Sequence, residues 1–387
     1  MKTRYFGALA GAAAVAIALT GCVPNRASAD AEALAVSVTD DTCVVSAATA
    51  PGGPVTFQVT NKGNDVSEFE ILAADKLRIA GEKENIGPGT TVNYVVQLAA
   101  GTYYTACKKG MVGDPIGLTK FIVTAGKKSQ ATPSENKQIG QAVTNYISYI
   151  KDQSSQLLTA TRAFAKAYST GDDAARAQYP AARMFYERIE PTAEQFGDID
   201  PALDLREADL QPGQAWTGWH RIEKDLWAPA GYTGATPAER KQLAGQLVAD
   251  TLKLYDLVAA KDFTLTIDQI SNGAIGLMEE VSRSKITGEE ETFSHTDLWD
   301  FQANVEGANV AYGIVRDIAS AKGVDGKNVV RQLDTEFAAI TAQLAAYKSG
   351  AGYVSYTTLS TAQVKELSDE VNALSEPLSK LTSVIVK

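Results

Sequence analysis

One imidazole and one carboxylate, three residues apart, are the most conspicuous chemistry in this sequence. They lie in Thr217-Gly218-Trp219-His220-Arg221-Ile222-Glu223-Lys224-Asp225-Leu226-Trp227, which holds one of the chain's two histidines. On a helix, His220 and Glu223 project from the same face. An imidazole beside a carboxylate can hold a divalent or trivalent cation. Trp219 and Trp227 would supply dry, packed surroundings. Arg221 at i+1 from His220 and i−2 from Glu223 faces neither on a helix, so it is a poor partner for Glu223.

Two ligands are too few for a cation, so the rest must come from other helices, as in metal sites within helical bundles. Glu187 and Glu190 also share a helix face at i, i+3. The run Glu289-Glu290-Glu291 reads most simply as an exposed loop. Imidazole and carboxylate donors are borderline to hard, which suits iron, manganese or zinc better than cuprous copper. The net charge of −10 over 387 residues argues against a nucleic-acid partner, which needs a basic footprint.

The elements that must position these residues fall into two groups behind a targeting segment. Lys2 and Arg4 precede the short apolar run Ala8 to Leu19, and Leu19-Thr20-Gly21-Cys22 looks like a bacterial lipobox. The apolar run is too short for a stable transmembrane span. The expected outcome is cleavage before Cys22, lipidation of that cysteine, and anchoring at the extracytoplasmic face of the cell membrane. Ordinary signal cleavage nearby is the alternative. Residues 1–21 would be the signal, 22–33 a tether.

Residues 34–125 carry the period-two pattern of strands. Val55, Phe57 and Val59 alternate in one run, and Val92, Tyr94, Val96 and Leu98 in another, with a third strand at Leu118 to Val123. Turn signals such as Asn61-Lys62-Gly63-Asn64 and Gly87-Pro88-Gly89 separate them. The spacing predicts an antiparallel β-sandwich. Its two cysteines, Cys43 and Cys107, lie in an oxidising compartment if the signal is used, which favours a disulfide. Closing their 64-residue separation contributes about 4 kcal/mol in the chain-entropy model.

A linker over 126–135 leads into a helical domain over 136–387. Thr236-Pro237-Ala238-Glu239 is a capping box with proline at the first helical position, opening a helix to about Ala260. Other helices are predicted at Asn136–Thr170, Asp173–Phe196, Ile267–Ser284, His295–Lys322, Lys327–Lys348 and Leu359–Val386, punctuated by glycines. The fold class is therefore a β-sandwich followed by an all-α helical bundle.

The sandwich, with Glu68 opening one strand and Cys107 following Tyr103-Tyr104-Thr105-Ala106, resembles a cupredoxin. Cys107 falls where a copper-binding cysteine would lie. A blue-copper centre needs two histidines, and both histidines of this chain lie outside the sandwich. The segments around Cys43, Glu68–Leu72, Glu82–Ile86 and Cys107 are similar to the cupredoxin domain of the EfeO family of bacterial iron-uptake proteins. That resemblance implies a metal site drawn from Glu68, Glu82 and neighbouring carboxylates, with the two sulfurs. A disulfide between Cys43 and Cys107 with solvated glutamates is the competing reading, and it would leave only carboxylates to bind.

Gly218-x-His220-x-x-Glu223 matches the Gly-x-His-x-x-Glu motif of the imelysin-type domain. Tyr186–Pro191, Leu277–Glu280 and Ser294–Asn304 are similar to further stretches of that domain as found in EfeO. The resemblance spans essentially the whole mature chain. It implies iron as cargo, ferrous or ferric, with zinc or copper taken up in vitro. It also implies a membrane iron permease and a haem peroxidase-type partner in the same uptake system. Glu280 and Asp297 join His220, Glu223, Glu187 and Glu190 as candidate ligands because they lie in matching stretches. Asp297 also fits a capping box, Ser294-x-x-Asp297.

Imelysin-type domains are grouped with metallopeptidases. The zinc-peptidase helix is His-Glu-x-x-His. Here the glutamate stands at +3 and Lys224 occupies +4. The expectation is a metal-binding transport component without catalytic residues, with a metal-dependent peptidase as the alternative.

Overall fold

The structure is a computed structural model that describes residues 33–126 and 132–386. The signal and Cys22 lie outside the described residues. Among those described, no helix is long and apolar enough to cross a membrane.

Nine strands form the N-terminal part: β1 Leu34–Val38, β2 Cys43–Val45, β3 Thr49–Pro51, β4 Gly53–Asn61, β5 Ser67–Leu72, β6 Ile79–Ile86, β7 Thr91–Leu98, β8 Gly101–Lys109 and β9 Ile116–Thr124. One sheet has the order β2-β1-β4-β7, the other β3-β9-β8-β5-β6. Alternating Val55, Phe57 and Val59 of β4 and Tyr94, Val96 and Leu98 of β7 are buried, as their period requires. Phe57 packs on Phe69 and Phe121 of the facing sheet at 5.1 and 5.7 Å between ring centres. The expected wholly antiparallel arrangement does not hold. β1 pairs parallel with β4, and β3 parallel with β9. The short segment from β2 to β3 crosses from one sheet to the other, and such a crossover lets a later strand return in the same direction.

Eleven helices follow: α1 Pro133–Tyr168, α2 Asp172–Glu187, α3 Glu190–Glu194, α4 Ile199–Asp204, α5 Gly218–Trp227, α6 Pro237–Ala259, α7 Ile267–Arg283, α8 Asp297–Ser320, α9 Gly323–Ala346, α10 Thr361–Leu378 and α11 Leu381–Ile385. The capping box at Thr236 and Glu239 forms, and equivalent boxes open α1 at Thr132 and α10 at Ser360. Two boundaries differ from expectation at places that shape the site. The predicted Asp173–Phe196 helix breaks after Glu187, because Pro191 offers no N–H and its ring crowds the preceding turn. The helix expected from His295 starts at Asp297 instead, since His295 sits at φ 57°, outside helical space.

α7 carries most of the junction between the two parts. The Gln97 N–H donates to Asp268 Oδ2 at 2.7 Å, and Asn272 Nδ2 to the Val95 carbonyl at 3.0 Å. Lys83 pairs with Glu279, and Arg283 donates to the Asn85 carbonyl. A cavity of about 100 Å³ lies at this junction, lined among others by Glu82, Glu84, Tyr94, Glu194 and Glu279.

Candidate metal centre

α5 starts at Gly218 because no other residue fits there. Its φ is +85°, and a Cβ would run into the Leu203 carbonyl of α4. The close approach of α4 and α5 brings Asp204 to His220. Trp219, Ile222 and Leu226 form the apolar stripe of α5, and all three are fully buried. Trp219 stacks among Phe164 and Tyr179, with ring centres 5.0 and 5.8 Å away, and Trp227 meets Tyr179 at 5.4 Å. This aromatic wall fixes the roll of the helix. It turns His220 and Glu223 inward, so both are buried despite their polarity.

His220 lies between two sets of carboxylates. Its Nδ1 is 3.3 Å from Glu223 Oε2. Its Nε2 lies 3.5 Å from Asp204 Oδ1 and 3.4 Å from Glu290 Oε1, yet completes no hydrogen bond. Glu223 is held from its other oxygen, where the Phe293 and Ser294 N–H groups donate to Oε1 at 2.9 and 2.7 Å. Those amides belong to the segment 288–296, a strap between α7 and α8 that also delivers Glu290 and Glu291.

The expectation of an exposed loop at 289–291 fails for two of its three residues. Glu290 is 3% exposed and Glu291 fully buried. Asp297 does not form the expected capping box with Ser294. Its Oδ1 accepts the Glu291 N–H at 3.1 Å, while Ser294 Oγ donates to Glu291 Oε2 at 2.7 Å. Asp297 therefore braces the strap.

Two fully buried cations lie among these acids. The Arg183 guanidinium pairs with Glu187, Asp204, Glu290, Glu291 and Asp300, three of them at 3.0, 2.7 and 3.3 Å. Lys285 Nζ lies 2.7 Å from Glu187, 3.0 Å from Glu190 and 3.4 Å from Glu280. Glu187 and Glu190, on either side of the helix break, converge on Lys285 rather than standing on one helix face. Asn304 adds donations to Glu187 and Glu190.

The electrostatics follow from burial and crowding. Burial and Arg183 both work against a charged His220. Asp204, Glu223 and Glu290 outweigh them and raise its pKa to about 10. Burial lifts Glu280 to about 7 and Asp297 to about 6, with neighbouring carboxylates adding to both. Glu290 is pulled well below the usual range despite its burial, by Lys285 and His220.

Several trios have ligand atoms within 4.8 Å of one another, a spacing that one ion can bridge. Asp204, His220 and Glu290 form one, and His220, Glu223 and Glu291 another. Glu187 and Glu190 group with Asp204, and Glu190 groups with Glu194 and Glu280. Sequence reasoning missed Arg183, Asp204, Lys285, Glu290 and Glu291. The only local hint was Arg183 standing four residues before Glu187 on one helix face.

In the sandwich, Glu68, Glu82 and Glu84 form a further trio. Glu68 and Glu70 are buried, not solvated, because Lys108 lies over them at 3.4 and 2.7 Å. Burial, then Glu84, raises Glu82 to about 8. Cys43 and Cys107 form a disulfide joining β2 to β8, so neither offers a thiolate.

A β-sandwich ahead of a helical bundle, with a buried histidine ringed by carboxylates, defines a two-domain protein of the cupredoxin–imelysin class. The family model for imelysin matches residues 142–381, and that for a cupredoxin-like domain matches residues 11–118. The iron uptake system component EfeO of Yersinia pestis is 35% identical over 362 residues, covering 92% of each chain. Its counterpart from Escherichia coli strain K12 is 35% identical over 363 residues, again 92% of each. The chain belongs to the EfeO family of iron uptake system components.

Proposed function

We propose that this protein captures iron outside the cytoplasm and delivers it to a membrane iron permease, with a haem peroxidase-type partner in the same system. Lipidation of Cys22 would hold it at the extracytoplasmic face of the membrane. The observation that carries the reading is the geometry at His220. A buried ring nitrogen without a hydrogen bond points between Asp204 and Glu290, with a third carboxylate steadying the other nitrogen. A cation at Nε2 would give that nitrogen its missing partner and would share with Arg183 the oxygens of Asp204 and Glu290. Glu223 then holds the imidazole by its far nitrogen, the usual support of a metal-bound histidine. Asp297 keeps the strap in place. Glu187, Glu190 and Glu280 gather at Lys285 beside this site. Glu68 and Glu82 belong to a separate carboxylate group in the sandwich.

The donors are nitrogen and oxygen, which suit iron in either oxidation state and also zinc; cuprous copper lacks its sulfur. The peptidase alternative needs Glu223 as a free general base. Two N–H groups and His220 already occupy its oxygens, so the binder reading is preferred.

Titration of the mature protein with iron, anaerobic for Fe(II) and aerobic for Fe(III), tests this. His220→Ala should weaken iron binding tenfold or more, in line with loss of a ligand. An unchanged titration curve overturns the site. Turnover of a peptide library by the metal-loaded protein overturns the transport reading.

A further inference from the structure

Every donor at His220 is closed off from solvent. Asp204 is 9% exposed, Glu290 3%, His220 2%, and Glu223 and Glu291 not at all. No ion reaches Nε2 unless a wall of the site moves. The walls differ in how they are held. α4 and α5 are seated by Leu203, Trp219, Ile222 and Leu226, all part of the bundle's apolar core. Ile286 and Leu298, on either side of the strap, belong to that core too, but Phe293, the strap's only large apolar side chain, does not. Polar contacts hold the strap instead: its Phe293 and Ser294 amides on Glu223, its Glu290 and Glu291 on Arg183, and its Glu291 N–H on Asp297. A segment with few buried apolar contacts opens at lower cost than the helices around it. Opened, its two glutamates regain the hydration that burial took from them. Both ends of the strap are pinned at one residue. Tyr356 donates its hydroxyl to the Ile286 carbonyl at 2.6 Å and its N–H to the His295 carbonyl at 3.0 Å. Gly288 at φ +80° and His295 at φ 57° stand at those ends. A loop closed at its ends and bounded by such residues can swing as a unit.

We propose that the strap 288–296 is the gate of the metal site and Asp297 its latch. The strap swings about Gly288 and His295, admits or releases the ion while open, and returns Glu290 to it on closing. The inference rests on the iron-binding reading of His220. Asp297 is a positioning residue here, since it acts on the strap backbone through the Glu291 N–H. The latch holds the strap shut with or without iron, so weakening it raises the open fraction of both states. Uptake and release then speed up together and affinity is unchanged. Loss of a ligand gives a different pattern, in which release alone quickens.

The test measures Fe(II) uptake and release by the full mature chain in anaerobic stopped flow, with release drawn by a ferrous chelator, alongside hydrogen exchange of the strap amides. Asp297→Ala leaves the Glu291 N–H without its acceptor. Both rates should rise about three- to tenfold, the worth of one hydrogen bond, with their ratio kept within about twofold. Asp297→Asn retains an acceptor oxygen for that N–H and should keep both wild-type rates. In the wild type, the Phe293 and Ser294 amides should exchange faster than those in the middle of α7 and α8, and should slow when Fe(II) is bound. Faster release with unchanged uptake in Asp297→Ala overturns the gate, as does an equal effect of Asn and Ala. Should Asp297→Ala fail to fold, the wild-type exchange decides: without iron, Phe293 and Ser294 amides as slow as those of α8 overturn the proposal. A protein that takes up no Fe(II) sinks the His220 reading separately, while fast exchange of the two amides in the metal-free chain still supports a strap that opens.

Discussion

Arg183 brings one permanent positive charge into the middle of five carboxylates, its side chain fully buried. Removing one partner from a buried ionic set leaves uncompensated charges, which costs about 3–5 kcal/mol. Arg183→Met should therefore lower the stability of the metal-free protein by that order, read from urea unfolding. A change below about 1 kcal/mol would mean that the acids relax into solvent or take up protons instead. His220 and Glu223 were legible in the sequence because helical spacing puts i and i+3 together, and the glycine ahead of them has a local cause. Four of Arg183's partners were not legible. They lie at 204, 290, 291 and 300, and no period links residues that meet only through packing; Glu187 alone stands within helical reach. Three consecutive glutamates at 289–291 gave the most misleading signal. A charge run usually marks solvated chain, yet here buried cations reverse that preference for two of the three.

At the scale of elements, α5 is aimed by what lies behind it. Gly218 lets the helix start against α4, and the stripe of Trp219, Ile222 and Leu226 fixes its roll. Gly218→Ala should destabilise the protein by about 1–3 kcal/mol, the cost of forcing a side chain into a strained backbone region. Because the clash is with α4, which carries Asp204, iron affinity should also fall, while Gly234→Ala, with room around it, serves as the control. Equal iron binding by Gly218→Ala and wild type would show that α4 and α5 adjust without moving His220 relative to Asp204. The strands and most helices were legible from alternation and capping boxes. The break after Glu187 had a visible cause in Pro191. The strap at 288–296 had none, since it follows neither a helical nor a strand period, and its role appears only when its amides are found on Glu223.

Across the whole molecule, the buried acids make stability depend on pH. Glu82 is raised to about 8 and Glu280 to about 7, from 4.5. Asp200 and Asp297 are raised to about 6, from 3.8. In each case burial is the largest cause. The folded state then binds protons that the unfolded chain has released, so stability falls as pH rises through this window. His220 acts in the same direction, its contribution full below 6.5 and lost toward 10. Lys83, pulled down to about 7 by burial, opposes the trend only above that pH. The urea midpoint of the metal-free protein should thus decrease from pH 5 to pH 7, and iron loading should flatten the slope as a cation replaces protons. A midpoint that rises over that interval would contradict the buried charge state described here.

The cysteine bridge in the sandwich has a consequence for the cargo. Iron is a one-electron metal, and cycling between its two common valences readily damages sulfhydryl groups nearby. Among the described residues, both cysteines are already joined to each other. A passing ferrous or ferric ion therefore meets oxygen and nitrogen donors with no oxidisable thiol within the folded body.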